Sequence, residues 1–218
     1  MITEYIPKVK SVHGPFLFFK RSFDIVSSFL LLIVLVPLFL VLMVLDAIST
    51  HGEPFYQDKR VGYKGKEIKL LKFRSMVCDA EQHPEKYLNQ EQMEEWKKER
   101  KVKNDPRITR FGYFLRKSSL DELPQLLNIL AGSLSVVGPR AITKTELDLN
   151  YSEKQKAIFL SAKPGLTGYW QVYARNDATY ESGERVKMEM VYFEKRSIWF
   201  DFFLILATIP SMFKHQGE

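Results

Sequence analysis

The chain has 218 residues, 45% hydrophobic and 27% charged, enough for one membrane element plus one domain of ordinary size, with no second core required. Its single cysteine, Cys78, excludes an intrachain disulfide and a multi-cysteine zinc site, which suits a reducing compartment. The 32 Lys and Arg against 26 Asp and Glu give a net charge of +6. That balance, beside a long apolar run, points to anionic lipid headgroups or phosphorylated substrates. No nucleic acid is expected, because no aromatic or helical reading motif accompanies the charge.

The apolar run, "FDIVSSFLLLIVLVPLFLVLMVLDAIST", begins at Phe23. No residue from Ile25 to Leu45 is charged, and as a helix that stretch extends roughly 30 Å, the thickness of a hydrocarbon core. It is too long for a signal-peptide core and has no small-residue cleavage pattern after it. It is also apolar on every face, unlike a buried helix of a soluble protein. Pro37 lacks an N–H and frees the carbonyl of Ile33, which predicts a bend. Lys8, Lys10, Lys20 and Arg21 precede the run, and Lys59, Arg60, Lys64 and Lys66 follow it. Basic flanks stay cytoplasmic, so both ends are predicted on one side, with the helix entering the membrane and returning. The expected organisation is an N-terminal interfacial segment over 1–22, a re-entrant helix kinked at Pro37 over 23–50, and a cytosolic, membrane-associated domain over 51–218.

Further along, "EPFYQDKRVGYKGKEIKLLKFRSM" predicts two short strands around a turn at Gly62–Gly65. The mixed-charge stretch from Glu81 to Asp105 reads as a solvated helix. Leu120, Leu123, Leu127, Leu130 and Leu134 recur at intervals of three and four, so one helical face is predicted apolar, with Gly132 as the stop. "KPGLTGYWQVYARND" places two glycine turns around an aromatic stretch. The closing "SIWFDFFLILATIPSMFKHQ" is marked by Asp201 and Pro210 and reads as an interfacial helix with Trp199 near the headgroups.

Chemistry centres on the adjacent carboxylates Asp121 and Glu122. One reading is structural: Asp is a favoured N-cap, Glu favours a first turn, and Pro124 there loses no helical bond. The other is chemical: a carboxylate kept ionised near a helix start is a nucleophile in waiting, and its neighbour is a hard ligand suited to Mg2+ and substrate phosphates. Arg107, Arg110, Arg116, Arg140 and Arg175 lie beside turns or helix ends and are candidates for bidentate phosphate binding.

Four blocks, "KRSFDIVSSFLLLIVLVPLF", "KFRSM", "DPRITRFGYFLRKSSLDELPQLLNILAGSLSVVGPR" and "PGLTGYWQVYARND", resemble in order those of the bacterial sugar transferases, the monotopic polyprenyl-phosphate phosphoglycosyl transferases, in their small, catalytic-core form. The sequence departs from the family pattern at Val36, where a serine often precedes the kinking proline, at Ser133 in place of an acid, and at Ala141 in place of a proline. The resemblance implies a mostly helical α/β fold: a re-entrant membrane helix, amphipathic interfacial helices and a small β-hairpin or sheet around a cytosolic active site. It further implies transfer of a sugar 1-phosphate from a UDP-sugar to undecaprenyl phosphate with release of UMP, at the cytosolic face of the bacterial inner membrane, as the first step of surface glycan assembly. Asp121 matches the nucleophile and Glu122 its Mg2+-binding partner, with Asp121 close enough to share the metal; Lys72, Arg107, Arg116, Arg140 and Arg175 fall to phosphate binding. Inner-membrane lipids and downstream glycosyltransferases are the implied further partners. The alternative is a non-enzymatic membrane-anchored module binding nucleotides or acidic lipids through the same arginines.

Overall fold

The computed structural model describes residues 5–80, 82–99, 102–174 and 178–214, with the side chains of 97–99 and 212–214 set aside. The protein is mostly helical. Its first element, α1 (Gly14–Thr50), is followed by the strands β1 (Phe55–Val61) and β2 (Glu67–Phe73), then by α2 (Gln90–Glu99), α3 (Arg110–Ser118) and α4 (Gln125–Ala131). Next come β3 (Ser135–Val137), α5 (Lys144–Asn150), α6 (Glu153–Phe159), β4 (Gly165–Thr167), α7 (Tyr169–Tyr173), α8 (Glu184–Lys195) and α9 (Ile198–Lys214). Two compact units divide the chain: Met1–Ile33 with Asp58–Leu70 and Gln125–Glu218, and Val34–Gln57 with Leu71–Pro124. This division cuts across the single domain expected over 51–218.

α1 starts at Gly14, ahead of the apolar run, and continues as one helix through Pro37. Its surface is the reverse of a soluble helix. Asp24, Ser28, Asp46 and Thr50 are buried, whereas Val26, Phe29, Leu30, Ile33, Val34 and Val41 are each more than half exposed. Apolar groups turned outward and polar groups turned inward suit a hydrocarbon surrounding, and Asp24, Asp46 Oδ2 and Thr50 find partners in protein.

In the first unit those partners are specific. Asp24 Oδ1 accepts from Ser135 Oγ (3.1 Å) and Val136 N–H (2.9 Å). Lys20 Nζ donates to Val137 O (2.8 Å) and Asp201 Oδ2 (2.6 Å). Arg21 donates to the carbonyls of Ile129 (2.6 Å) and Leu130 (2.8 Å) in the last turn of α4. β3 pairs in parallel with β4, Ser135 opposite Gly165 and Val137 opposite Thr167. Around this pair Val137, Ile142, Phe159, Met190, Phe193 and Leu204 form the core. On α9 one face carries Trp199, 82% exposed, with Phe202, Phe203, Leu206 and Ile209.

The hairpin forms as predicted, but the leucine periodicity misplaces the fourth helix. α4 begins at Gln125, and its buried positions are Gln125, Leu126, Asn128 and Ile129, while Leu127 is 41% exposed. Leu120 and Leu123 instead belong to the second unit, where they pack with Leu42, Phe73, Leu115, Phe39 and Phe111. Gly132 does stop α4, with φ +86, a left-handed conformation that glycine adopts without strain.

Candidate active site

The site is built in the second unit, from the end of β2 and from α3. Thr109 caps α3, its side chain accepting the Gly112 N–H at 2.9 Å, and its own N–H donates to Ser75 O at 3.1 Å. A Cβ on Gly112 would lie 2.0 Å from Ser75 O, so only glycine lets α3 close on the chain leaving β2. Further along α3, Arg116 Nε donates to Ser75 Oγ at 2.7 Å. Ser75 thus fixes both the start of the helix and the cation near its end. It lies inside the "KFRSM" block, where residue types alone did not mark it.

α3 ends at Ser119, whose φ of 56 is left-handed, and the chain makes a 3-10 turn over Leu120–Glu122. Leu120 and Leu123 anchor this turn in the core while Asp121 and Glu122 stay partly exposed. The N-cap reading of Asp121 is corrected: the cap position is Ser119, no side chain caps the turn, and α4 begins only at Gln125. Free of a capping duty, the carboxylates stand beside fixed cations. Lys72 Nζ is 3.6 Å from Glu122 Oε1. Burial and the charge of Glu122 push Asp121 up to about 6, against the pull of Lys72 and Arg116.

Arg107 is committed elsewhere. Its guanidinium makes two bonds to Asp105, Nε at 2.8 Å and Nη2 at 2.6 Å, both side chains being 4% exposed, and it lies 5.5 Å from the Trp96 ring. This corrects its assignment to direct phosphate binding, since a bidentate buried pair leaves the fork occupied. Arg110 is exposed in the first turn of α3. Arg140 belongs to the first unit, where its guanidinium sits 5.5 Å from the Trp170 ring. Arg175 lies outside the described residues.

Among the described residues no three His, Cys, Asp or Glu side chains converge on one point. A cation held here therefore draws on Asp121, Glu122 and oxygens of a bound phosphate. Two adjacent carboxylates are the hard oxygen donors that a Mg2+ ion would take.

The raised pKa gives a signed expectation. The folded protein binds the Asp121 proton more tightly than the unfolded chain, whose value is near 3.8. The stability this contributes is full below pH 4 and is lost as pH rises through about 6. In Mg2+-free protein Asp121→Asn should therefore gain on the wild type across that window, by at most about 3 kcal/mol. Thermal melts of the two proteins from pH 4 to 8 check this, and parallel profiles would refute it.

The fold and the site define a class: a small, mostly helical α/β protein with an exposed apolar helix and a carboxylate pair beside two cations, Lys72 and Arg116. Residues 16–215 match the family model described as bacterial sugar transferase, and the chain belongs to that family. It is 42% identical over 201 residues to the exopolysaccharide production protein ExoY of Rhizobium meliloti, covering 91% of this chain and 87% of that one. It is 41% identical over 203 residues to the undecaprenyl-phosphate galactose phosphotransferase of Salmonella typhimurium, covering 92% of this chain and 41% of the relative. To the UDP-glucose:undecaprenyl-phosphate glucose-1-phosphate transferase of Escherichia coli it is 33% identical over 205 residues, covering 91% and 41%. The chain thus spans most of the first relative and about two-fifths of the other two.

Proposed function

We propose that this bacterial sugar transferase moves a sugar 1-phosphate from a UDP-sugar to undecaprenyl phosphate, through an ester formed on Asp121. One observation carries the reading: a partly buried carboxylate pair, relieved of any capping role, with Lys72 and Arg116 alongside. The activities for which the Salmonella typhimurium and Escherichia coli relatives are named agree with it. The Asp121 carboxylate attacks the phosphorus that bears the sugar, and the bond to the bridging oxygen breaks, so UMP leaves with the electron pair. A phosphate oxygen of the lipid then attacks the same phosphorus, releasing the Asp121 carboxylate and forming undecaprenyl-diphospho-sugar. Lys72 and Arg116 balance the phosphate charge, and Arg140, in the first unit, is read as a further phosphate-binding side chain. Glu122 and Asp121 would hold Mg2+, which when bound would supply further charge neutralisation at the phosphates. Release of UMP from a panel of UDP-sugars, dependent on undecaprenyl phosphate, tests the reading; no release from any of them would defeat it.

The membrane reading is that α1 re-enters, with both ends at the cytosolic face. Basic residues flank it on both sides, and polar anchors hold both of its halves: Lys20, Arg21 and Asp24 near the start, and Asp46, which accepts the Arg74 N–H at 3.0 Å, near the end. A single cysteine introduced as Ser11→Cys in a Cys78→Ser background should stay protected from an impermeant maleimide until the inner membrane is opened. Labelling of intact cells would place that end outside.

A further inference from the structure

Within the first unit, residues 138–140 and 165–168 meet backbone against backbone. Gly138 N–H donates to Thr167 O at 2.9 Å, Gly165 N–H donates to Pro139 O at 2.8 Å, and Arg140 bridges to Gly165 in parallel register. A Cβ on Gly165 would lie 2.1 Å from Gly138 N, and one on Gly168 would lie 2.1 Å from Gly138 O. No side chain fits at either glycine. The chain arriving at Arg140 is therefore fixed on one side by glycine contacts. On the other side it is fixed by Glu189 of α8, whose Oε2 accepts the Arg140 N–H at 3.1 Å.

Glu189 is 1% exposed, and its Oε1 has no hydrogen-bond partner among the described residues. A carboxylate in that position costs more than an apolar side chain of the same size. Arg185, one turn earlier on α8, lies between two rings, 4.4 Å from the Trp170 centroid and 4.1 Å from that of Tyr180, with its Nη2 3.6 Å from Glu146 Oε1. Trp170 thus carries two guanidinium groups, Arg185 and Arg140. Among the described residues the Arg140 guanidinium faces the Trp170 ring and its charge acts on Glu189, with no hydrogen bond from its N–H groups.

We propose that Glu189 is the positioning residue for Arg140: its carboxylate holds the Arg140 amide while the Trp170 ring lies against the guanidinium, so that the guanidinium is presented to a substrate phosphate. This rests on the phosphate-binding reading of Arg140 given above. Arg185 acts as ballast, already committed to Glu146 and the two rings, whereas Arg140 is left with donors to spare.

The test is a double-variant cycle on the full chain in nanodiscs containing undecaprenyl phosphate, measuring KM and kcat for a UDP-sugar that is turned over. Arg140→Ala and Glu189→Leu, which removes the acceptor of the Arg140 N–H, should each raise KM roughly tenfold and leave kcat within about twofold, as expected for a mispositioned binding group. The double variant should be no worse than Arg140→Ala alone, because Glu189 has nothing left to position. If Glu189→Leu melts below the assay temperature, Trp170→Phe replaces it in the cycle with the same expected pattern. Additive KM increases in the double variant overturn the positioning role and leave Arg140 as a phosphate ligand. An unchanged KM for Arg140→Ala overturns the phosphate-binding reading, and the positioning role with it.

Discussion

Asp121→Asn protein should fold, bind UDP-sugar and release UMP at least about a thousandfold more slowly than the wild type, because an amide does not form the phosphoryl ester. The structure removes the usual ambiguity of such a variant. Asp121 caps no helix; it lies in the 3-10 turn over Leu120–Glu122, which is anchored by Leu120 and Leu123 rather than by its own side chain. Burial already favours the neutral form of Asp121, so a neutral isostere costs no stability at neutral pH. A drop in turnover with an unchanged or raised melting temperature is therefore a chemical effect. Near-normal UMP release from the folded variant would remove Asp121 from the reaction.

Glu122→Gln should act through the metal. A neutral amide oxygen is a poorer ligand for a hard cation, so the Mg2+ concentration needed for half-maximal rate should rise and kcat should fall, each by roughly 10- to 100-fold. The same change leaves the Lys72 ammonium, now 3.6 Å from Glu122 Oε1, without that charge partner. A Mg2+ titration of initial rates separates the two effects: a metal ligand moves the midpoint, whereas a pure charge partner lowers the plateau alone. An unmoved midpoint would place the metal elsewhere.

What was legible in the sequence followed from local physics. The uncharged stretch between Asp24 and Asp46 defined α1 because length and hydropathy are local properties, and Gly132 marked the end of α4 because only glycine adopts that φ freely. The β1–β2 hairpin was readable from its glycine-containing turn. β3 and β4 were not, since each has three residues, too few for alternation, and they pair across the helices α5 and α6. The leucine spacing across 120–134 misled because it runs through two environments: Leu120 and Leu123 pack in one unit, and α4 belongs to the other.

The site divides in the same way. Asp121 and Glu122 were visible as a pair, but their turn was not, because the left-handed Ser119 and the start of α4 depend on tertiary packing. Arg107 was indistinguishable from Arg116 by spacing. Only the fold shows Arg107 closed onto Asp105, while Arg116 bonds a hydroxyl and keeps its charge available near Asp121. Ser75 and Gly112 form one close contact between segments far apart in sequence, and Glu189 reaches Arg140 from another helix. Such partners carry no local signature.

The central claim is a covalent ester on Asp121, and intact-mass analysis of the full chain tests it most directly. Protein incubated with Mg2+ and a UDP-sugar that it turns over, in the absence of undecaprenyl phosphate, should gain the mass of one sugar phosphate. Peptide mapping should place the adduct on Asp121, and later addition of the lipid should discharge it. Unmodified protein under conditions where turnover is confirmed on adding lipid, or an adduct mapped to another residue, would contradict the account.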